Sequence, residues 1–318
     1  MSARILCTAR IFPETAALLA PVGGVAHPAG AAPWPRAELL ARLREAEAVM
    51  AFMTDRVDAA FLDAAPRLRV LACALKGYDN IDVSACQARG VEVSIVPDLL
   101  TSPTAELAVA LTLGLARHLR SGDAAVRAGF EGWRPELYGL GLDGAVVTIL
   151  GLGALGSAIA ARLAPFGCML RGVDSAREAP GVVRLPIGAA LREADIVIVA
   201  LPLNAQTRGL IGAEMLRLLP PHALLVNIGR GSVVREADVL AALEAGRLGG
   251  YAADVFEMED WALEDRPRAI PPGLLMHPAT LFTPHLGSAT LAARRAIEAR
   301  AAANILDVLD GRAARDRI

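Results

Sequence analysis

An apolar run, AVVTIL, leads straight into Gly151-Leu-Gly153-Ala-Leu-Gly156 and then into a helix-forming stretch. Three glycines at this spacing, between a strand and a helix, constrain the fold more than any other feature of the chain. Gly151 permits the tight turn. Gly153, with Ala154 and Leu155 after it, lets backbone approach a pyrophosphate, and Gly156 lets helix and strand pack closely. The helix N-terminus then faces phosphate charge. Asp174 ends the next strand, eighteen residues past Gly156, where a carboxylate accepts hydrogen bonds from ribose hydroxyls. A carboxylate there repels a 2′-phosphate, so the expected cofactor is NAD rather than NADP. Arg177, three residues on, softens that preference.

Around this fingerprint, short apolar runs alternate with Ala/Leu/Arg helical patterns, as in parallel βαβ units. Strands are expected near Arg4–Cys7, Ala48–Phe52, Val70–Ala74 and Val91–Ser94, with helices between them. PTAELAVALTLGLARHLR reads as one long helix with Pro103 in its first turn. A second series begins at Val146, with strands ending near Val173, Ala200, Asn227 and Val255. A last helix, from about Leu291 to Leu309, suits a return to the first domain. The fold class expected is α/β: two Rossmann-like domains with parallel sheets. A discontinuous, flavodoxin-like substrate domain (1–99 and 287–318) flanks a central NAD-binding domain (100–286).

At 318 residues the chain is long enough for two cores. Apolar residues make up 54% and charged ones 21%, which suits packed α/β domains rather than disorder. A net charge of −2 with no basic block argues against nucleic acid or an anionic membrane as partner. Any selectivity for anions is therefore local. No apolar run approaches a membrane span, and the start, MSARILCTARIF, lacks a signal-peptide layout, so a cytoplasmic protein is expected. Cys7, Cys73, Cys86 and Cys168 show no CxxC spacing and no histidine at metal-ligand distance, so no metal is expected.

The 32 basic residues include a single lysine, Lys76, in ALKGYDNID. A compact ammonium followed by Gly77 reads as an anion clamp that a broad guanidinium does not replace. Arg230, in LLVNIGRGSVV, lies just past the carboxyl end of a strand, where open parallel sheets bind ligands. Its fork suits an oxyanion. Glu259 lies past another strand in DVFEMED, among Glu257 and Asp260. One of these acids is expected to orient a histidine and the others to be solvated. His285, between Pro284 and Gly287 in TPHLGS, is the expected general base, whereas His27, His118, His222 and His277 read as structural or exposed.

GxGxxG, the acid after the second strand, NIGRGSVV, DVFEME and TPHLGSAT, in that order, resemble the D-2-hydroxyacid dehydrogenase family over almost the whole chain. The family's catalytic Arg, Glu and His match Arg230, Glu259 and His285. Pro202 and Asp254 join Gly151, Gly153, Ala154, Leu155, Gly156 and Asp174 at the cofactor. Within the family, AFMTDRVDAAFL, ALKGYDNIDVSAC, VPDLLTSPTAEL and GGYAADVFEMEDWALEDRPR are more similar to the phosphonate (phosphite) dehydrogenases. That resemblance implies substrate contacts from Met53, Lys76, Gly77, Trp133, Tyr138, Ser288 and Arg294, and a homodimer that brings Trp133 and Tyr138 to the pocket.

The activity so implied is NAD-dependent oxidation of phosphite to phosphate. A second cation about 4 Å from a dianion contributes roughly 4 kcal/mol at an effective dielectric of ~20, before desolvation. Lys76 beside Arg230 answers that demand, Arg294 lends electrostatic support, and His285 takes a proton from the attacking water. Two alternatives use the same residues: an ordinary 2-hydroxyacid dehydrogenase, of the glyoxylate or hydroxypyruvate reductase kind, and an NAD-sensing corepressor that binds without turnover.

Overall fold

Runs such as Ala48–Ala51 and Ile196–Val199 are buried at every position, so neither face reaches water and both must be covered by helices. That requirement yields parallel sheets wrapped on two sides. The computed structural model describes residues 4–133 and 136–318. It divides into two compact units, Met1–Leu100 with Trp261–Glu264 and Ala289–Ile318, and Thr101–Asp260 with Asp265–Ser288. The first unit thus holds the short stretch Trp261–Glu264, which the expected boundaries had placed in the NAD-binding domain.

The first unit carries β1 (Ile5–Cys7), β2 (Val25–Ala26), β3 (Ala48–Ala51), β4 (Val70–Cys73) and β5 (Glu92–Ser94) in one sheet ordered β2-β1-β3-β4-β5. The pairings among these five strands are all parallel. The helix Leu291–Leu309 covers one face with Ile297, Ala301, Ile305 and Val308, a spacing of three and four that keeps one stripe inward. Thr290 caps this helix by accepting from Ala293 N at 3.3 Å. Its buried Glu298 in turn accepts from Phe12 N (2.9 Å) and Thr15 Oγ1 (3.1 Å), serving the start of helix Pro13–Leu19.

The second unit holds β6 (Val146–Leu150), β7 (Met169–Val173), β8 (Val183–Arg184), β9 (Ile196–Val199), β10 (Leu224–Asn227), β11 (Gly250–Ala253) and β12 (Thr280–Phe282). Their order is β12-β11-β10-β9-β6-β7-β8, again parallel throughout. The chain winds outward from β6 in both directions, so the carboxyl end of β6 is the switch point where such sheets bind ligands. The Gly151–Gly156 turn stands there.

The expected long helix is two helices, Thr101–Ala116 and Leu119–Arg127, parted by His118 at φ 52°. The cause is a competing acceptor use. Ala116 O takes the N–H of Leu140 at 2.8 Å, and Gly139 crosses so closely that a Cβ there would lie 2.2 Å from the same oxygen. Strands β2, β8 and β12 are two or three residues long and give too little alternation to be read in advance. Among the described residues no helix is long and apolar enough to cross a membrane.

Gly156 shows how tightly the fingerprint packs: a Cβ would fall 1.9 Å from Gly151 O, a backbone atom with nowhere to go. Gly156→Ala should therefore destabilise the protein by about 1–3 kcal/mol, read as a lower thermal unfolding midpoint. A midpoint equal to the parent's would refute this packing.

Candidate active site

Three neighbouring strands of the second unit end in turns that carry the expected Arg, Glu and His. β10 delivers Arg230, β11 delivers Glu259 and β12 delivers His285, all beyond the carboxyl ends of strands paired in register. Asn227, the last residue of β10, pins the first turn: its Oδ1 accepts from Gly229 N (3.2 Å) and its Nδ2 donates to Arg230 O (3.0 Å). Arg230 Nη1 donates to Gly229 O at 3.0 Å. Gly231 lies directly against the second turn, where a Cβ would sit 1.9 Å from Phe256 C. Only glycine lets the Arg230 and Glu259 turns touch through backbone.

Glu259 is fixed at both carboxylate oxygens. Oε1 accepts from Phe256 N (2.9 Å), and Oε2 bonds His285 Nδ1 at 2.7 Å. This contact assigns the proton on the ring's near side to Nδ1 and leaves Nε2 for chemistry. Both side chains are about a quarter exposed, 25% for Glu259 and 28% for His285, so the couple is reachable yet poorly screened.

His285 itself has φ 54°, a left-handed conformation that costs a non-glycine residue free energy and must be enforced by its surroundings. Asp254 enforces it. The carbonyl of Asp254 accepts from His285 N (2.8 Å). Its buried carboxylate accepts from Thr283 Oγ1 (2.6 Å), Leu286 N (2.6 Å) and Gly287 N (2.8 Å). Burial raises its carboxyl affinity for protons, and these donors with His285 oppose that rise. The resemblance assigns Asp254 to the cofactor; in the structure its oxygens hold the histidine loop.

The neighbouring acids also differ from expectation, since Glu257 and Asp260 are not solvated. Asp260, 4% exposed, accepts from Ser232 N at 2.6 Å, and Glu257 exchanges hydrogen bonds with Glu236. Both contacts lace the Arg230 turn and the helix after it to the Glu259 turn. Glu236, 1% exposed, was missed by sequence reasoning. Its one clue was an acid at the helix start VVREADVL, where it reads equally well as an ordinary first-turn glutamate beside Arg235 and Asp238.

At the carboxyl end of β6, the residues present fit a dinucleotide. Gly151 has φ +93°, with a would-be Cβ 2.9 Å from Ala200 O, so the turn is closed to other residues. Beside Gly153, the N-cap of helix Ala154–Leu163, a Cβ would meet only the tip of Arg177, at 2.9 Å, which leaves room for a phosphate. Asp174 Oδ2 accepts from Leu152 N (2.8 Å) and Oδ1 from Ala176 N and Arg177 N (both 2.9 Å). Partial burial opposes ionisation, but these bonds and Arg177 outweigh it and hold the carboxyl below its ordinary range. Ala154 is exposed and Leu155 half-buried on the opening turn of that helix, and Pro202 is exposed beyond β9.

In the first unit, Met53 and Lys76–Gly77 follow the paired strands β3 and β4 at their carboxyl ends. Buried Asp55 joins the two loops: its carboxylate accepts from Thr8 Oγ1 and Phe52 N (2.7 Å), and its carbonyl accepts from Asn80 Nδ2. Burial pushes this carboxyl up to about 6. Arg294 reaches the same end, donating to Ala74 O at 3.3 Å with its guanidinium 5.6 Å from the Phe52 ring centroid. Burial lowers its proton affinity, and Glu298 counters this. Ser288 is buried at 5% exposure as the last residue of the second unit. Trp133 and Tyr138 are 80% and 73% exposed on that unit, so one chain by itself does not enclose them.

A switch-point glycine turn with an ionised acid, beside an Arg, Glu and His on successive strand ends, defines a dinucleotide-dependent dehydrogenase. Residues 109–287 match the family model described as D-isomer specific 2-hydroxyacid dehydrogenase, NAD binding domain, and the chain belongs to that family. It is 37% identical over 283 residues to the glyoxylate reductase of Pyrococcus furiosus, covering 86% of this chain and 82% of the relative. With the Aeropyrum pernix glyoxylate reductase it shares 36% identity over 97% of this chain and 93% of the relative. Its fold is similar to that of a Sinorhizobium meliloti NADPH-dependent glyoxylate/hydroxypyruvate reductase solved with NADP and malonate. That likeness has a TM-score of 0.86 and 31% identity, over 100% of this chain and 97% of the other. The protein is an NAD-binding dehydrogenase. The narrower expectation, a phosphonate dehydrogenase, finds no support among these relatives.

Glu236 supplies a pH test. Burial, with the charges of Glu257, Glu259 and Asp260, pushes its carboxyl from 4.5 up to about 7, against the help of its bond from Glu257 N. The folded protein then keeps a proton that the unfolded chain has released. Stability is full at low pH and falls as pH rises from about 4.5 to about 7. Glu236→Gln, a copy of the protonated form, should remove that fall, worth on the order of 2–3 kcal/mol. Thermal midpoints should show the variant gaining on the parent between mildly acid and mildly alkaline buffer; a constant difference would refute the shift.

Proposed function

We propose that this protein reduces a small 2-oxoacid, of the glyoxylate or hydroxypyruvate kind, to the D-2-hydroxyacid with NADH. The observation that carries the reading is the 2.7 Å contact between His285 Nδ1 and Glu259 Oε2, on a turn beside Arg230. The names borne by the relatives support the same substrate class. The guanidinium fork of Arg230 pairs with the substrate carboxylate and polarises the adjacent carbonyl. His285, protonated and oriented by Glu259, gives its Nε2 proton to the carbonyl oxygen as that oxygen gains negative charge. A bound nicotinamide would supply the hydride for the carbonyl carbon. In reverse, neutral His285 takes the hydroxyl proton. Ionised Asp174 accepts from ribose hydroxyls and disfavours a 2′-phosphate, so NADH is preferred to NADPH.

Oxidation of phosphite remains a second reading because the sole lysine, Lys76, stands at the carboxyl end of β4 with Arg294 at the same end. It requires the Lys76 ammonium to reach the anion that Arg230 holds. Purified protein should consume NADH with glyoxylate or hydroxypyruvate and form none from NAD and phosphite. Turnover with phosphite alone would reverse the two readings, and Lys76→Ala would then raise KM for phosphite above all. His285→Gln should lower kcat for the 2-oxoacid by about 10²–10⁴. A near-parental kcat in this variant would remove His285 as proton donor.

A homodimer belongs to the same reading. Leu119, Val126, Phe130, Trp133, Leu137 and Tyr138 are all 49% or more exposed on the segment after helix Thr101–Ala116. That is more large apolar surface than a monomer usually leaves in one stretch, and it suits a second copy of this chain. Sedimentation at micromolar concentration should give twice the 33.2 kDa chain mass; a species at the chain mass would refute the dimer.

A further inference from the structure

Glu236 opens the helix Glu236–Glu244 and is 1% exposed. Its Oε1 accepts from Glu257 N at 2.7 Å, and Glu257 Oε2 accepts from Glu236 N at 2.9 Å. This reciprocal pair ties the segment following Arg230 to the turn carrying Glu259. Glu236 Oε2 is buried with no hydrogen-bond partner among the described residues. Neutral or charged, the carboxyl acts where water does not screen it.

The groups that face it are predominantly acidic. Glu257, Glu259 and Asp260 approach from the β11 turn, and the buried phenol of Tyr251 from β11 itself. On Glu236's own segment, Arg235 and Asp238 act on Glu257 with opposite signs. Beyond Glu259 lies His285, with Asp254 under its loop. A negative charge placed in this cluster repels the carboxylates and favours a cation on the imidazole that Glu259 holds.

We propose that Glu236 is a positioning residue whose charge state sets the alkaline limit of activity: once ionised, it holds the proton on the Glu259–His285 couple. The inference rests on the reading of His285 as proton donor to a 2-oxoacid. Below neutrality Glu236 is neutral and adds no charge beside the couple. As pH rises through about 7, Glu236 ionises and its charge opposes loss of the catalytic proton. The raised proton affinity that burial gives Glu236, to about 7, puts this change of charge near neutral pH. In the oxidation direction, which needs the free base, the same charge is inhibitory.

The test compares pH profiles of glyoxylate reduction for the parent and Glu236→Gln. The alkaline limb of the variant should move to lower pH by at least about half a unit, a threefold loss at a fixed pH on that limb. Its oxidation of the hydroxyacid at the same pH should rise relative to reduction. A merely structural role scales the rate by one factor at every pH, so parallel profiles would overturn the proposal. Infrared spectra of the unmodified protein, labelled with ¹³C-glutamate, give a reading that needs no variant. A buried protonated carboxyl band should vanish as pH rises through about 7, and its absence at mildly acid pH would overturn the proposal. A parent protein that reduces no 2-oxoacid removes the substrate reading and leaves the infrared titration to judge Glu236.

Discussion

The site depends on one buried carboxylate, Asp254, placed directly after β11. It gathers a hydroxyl and two backbone N–H groups from the segment that follows β12, and its carbonyl takes a third N–H from His285. Removing such an acceptor strands buried donors, at about 1–3 kcal/mol each. That is enough to hold a histidine in a left-handed conformation that it would not choose. The imidazole therefore meets Glu259 without a search, and the geometry of the pair is built into the chain itself.

Charge in the second unit follows from the same arrangement. Parallel strands bring their carboxyl ends together, and each returning turn adds polar side chains to one small volume. Four acids, Glu236, Glu257, Glu259 and Asp260, come close there because three of them, Glu236, Glu257 and Asp260, are used to lace turns. Their mutual repulsion would be costly if all were ionised. Keeping Glu236 neutral at low pH relieves it, and the burial that raises its proton affinity is the burial that makes it an effective clamp. Structure and proton economy are therefore the same feature viewed twice.

Lys76 illustrates how a residue can be conspicuous and still leave the substrate open. Its rarity marked a place at the carboxyl end of β4, and the fold puts Met53 and Arg294 at that same end. Rarity carries no information about the anion held. A carboxylate and a phosphite both ask for cations, and they differ by about one charge, a difference that composition does not read. The narrower expectation leaned on that charge, while the relatives lean toward 2-oxoacids.

The choice of Glu259 among its neighbouring acids came from the family resemblance, while local residue chemistry was enough to suggest the parallel α/β class, the dinucleotide turn with Asp174, and Arg230 and His285 as candidates. Each is written in contiguous residues whose backbone demands, a tight turn or an apolar run, are local. Other features depended on neighbours distant in the chain. The helix break at His118 arises from Leu140 taking the carbonyl of Ala116. The scaffolding role of Asp254 needs donors some thirty positions away in the chain, and Glu236 becomes a buried acid only when the β11 turn folds over it. Burial and hydrogen-bond partnership are properties of the assembled sheet edge, so only the tertiary structure could decide which acids are solvated and which hold the site together.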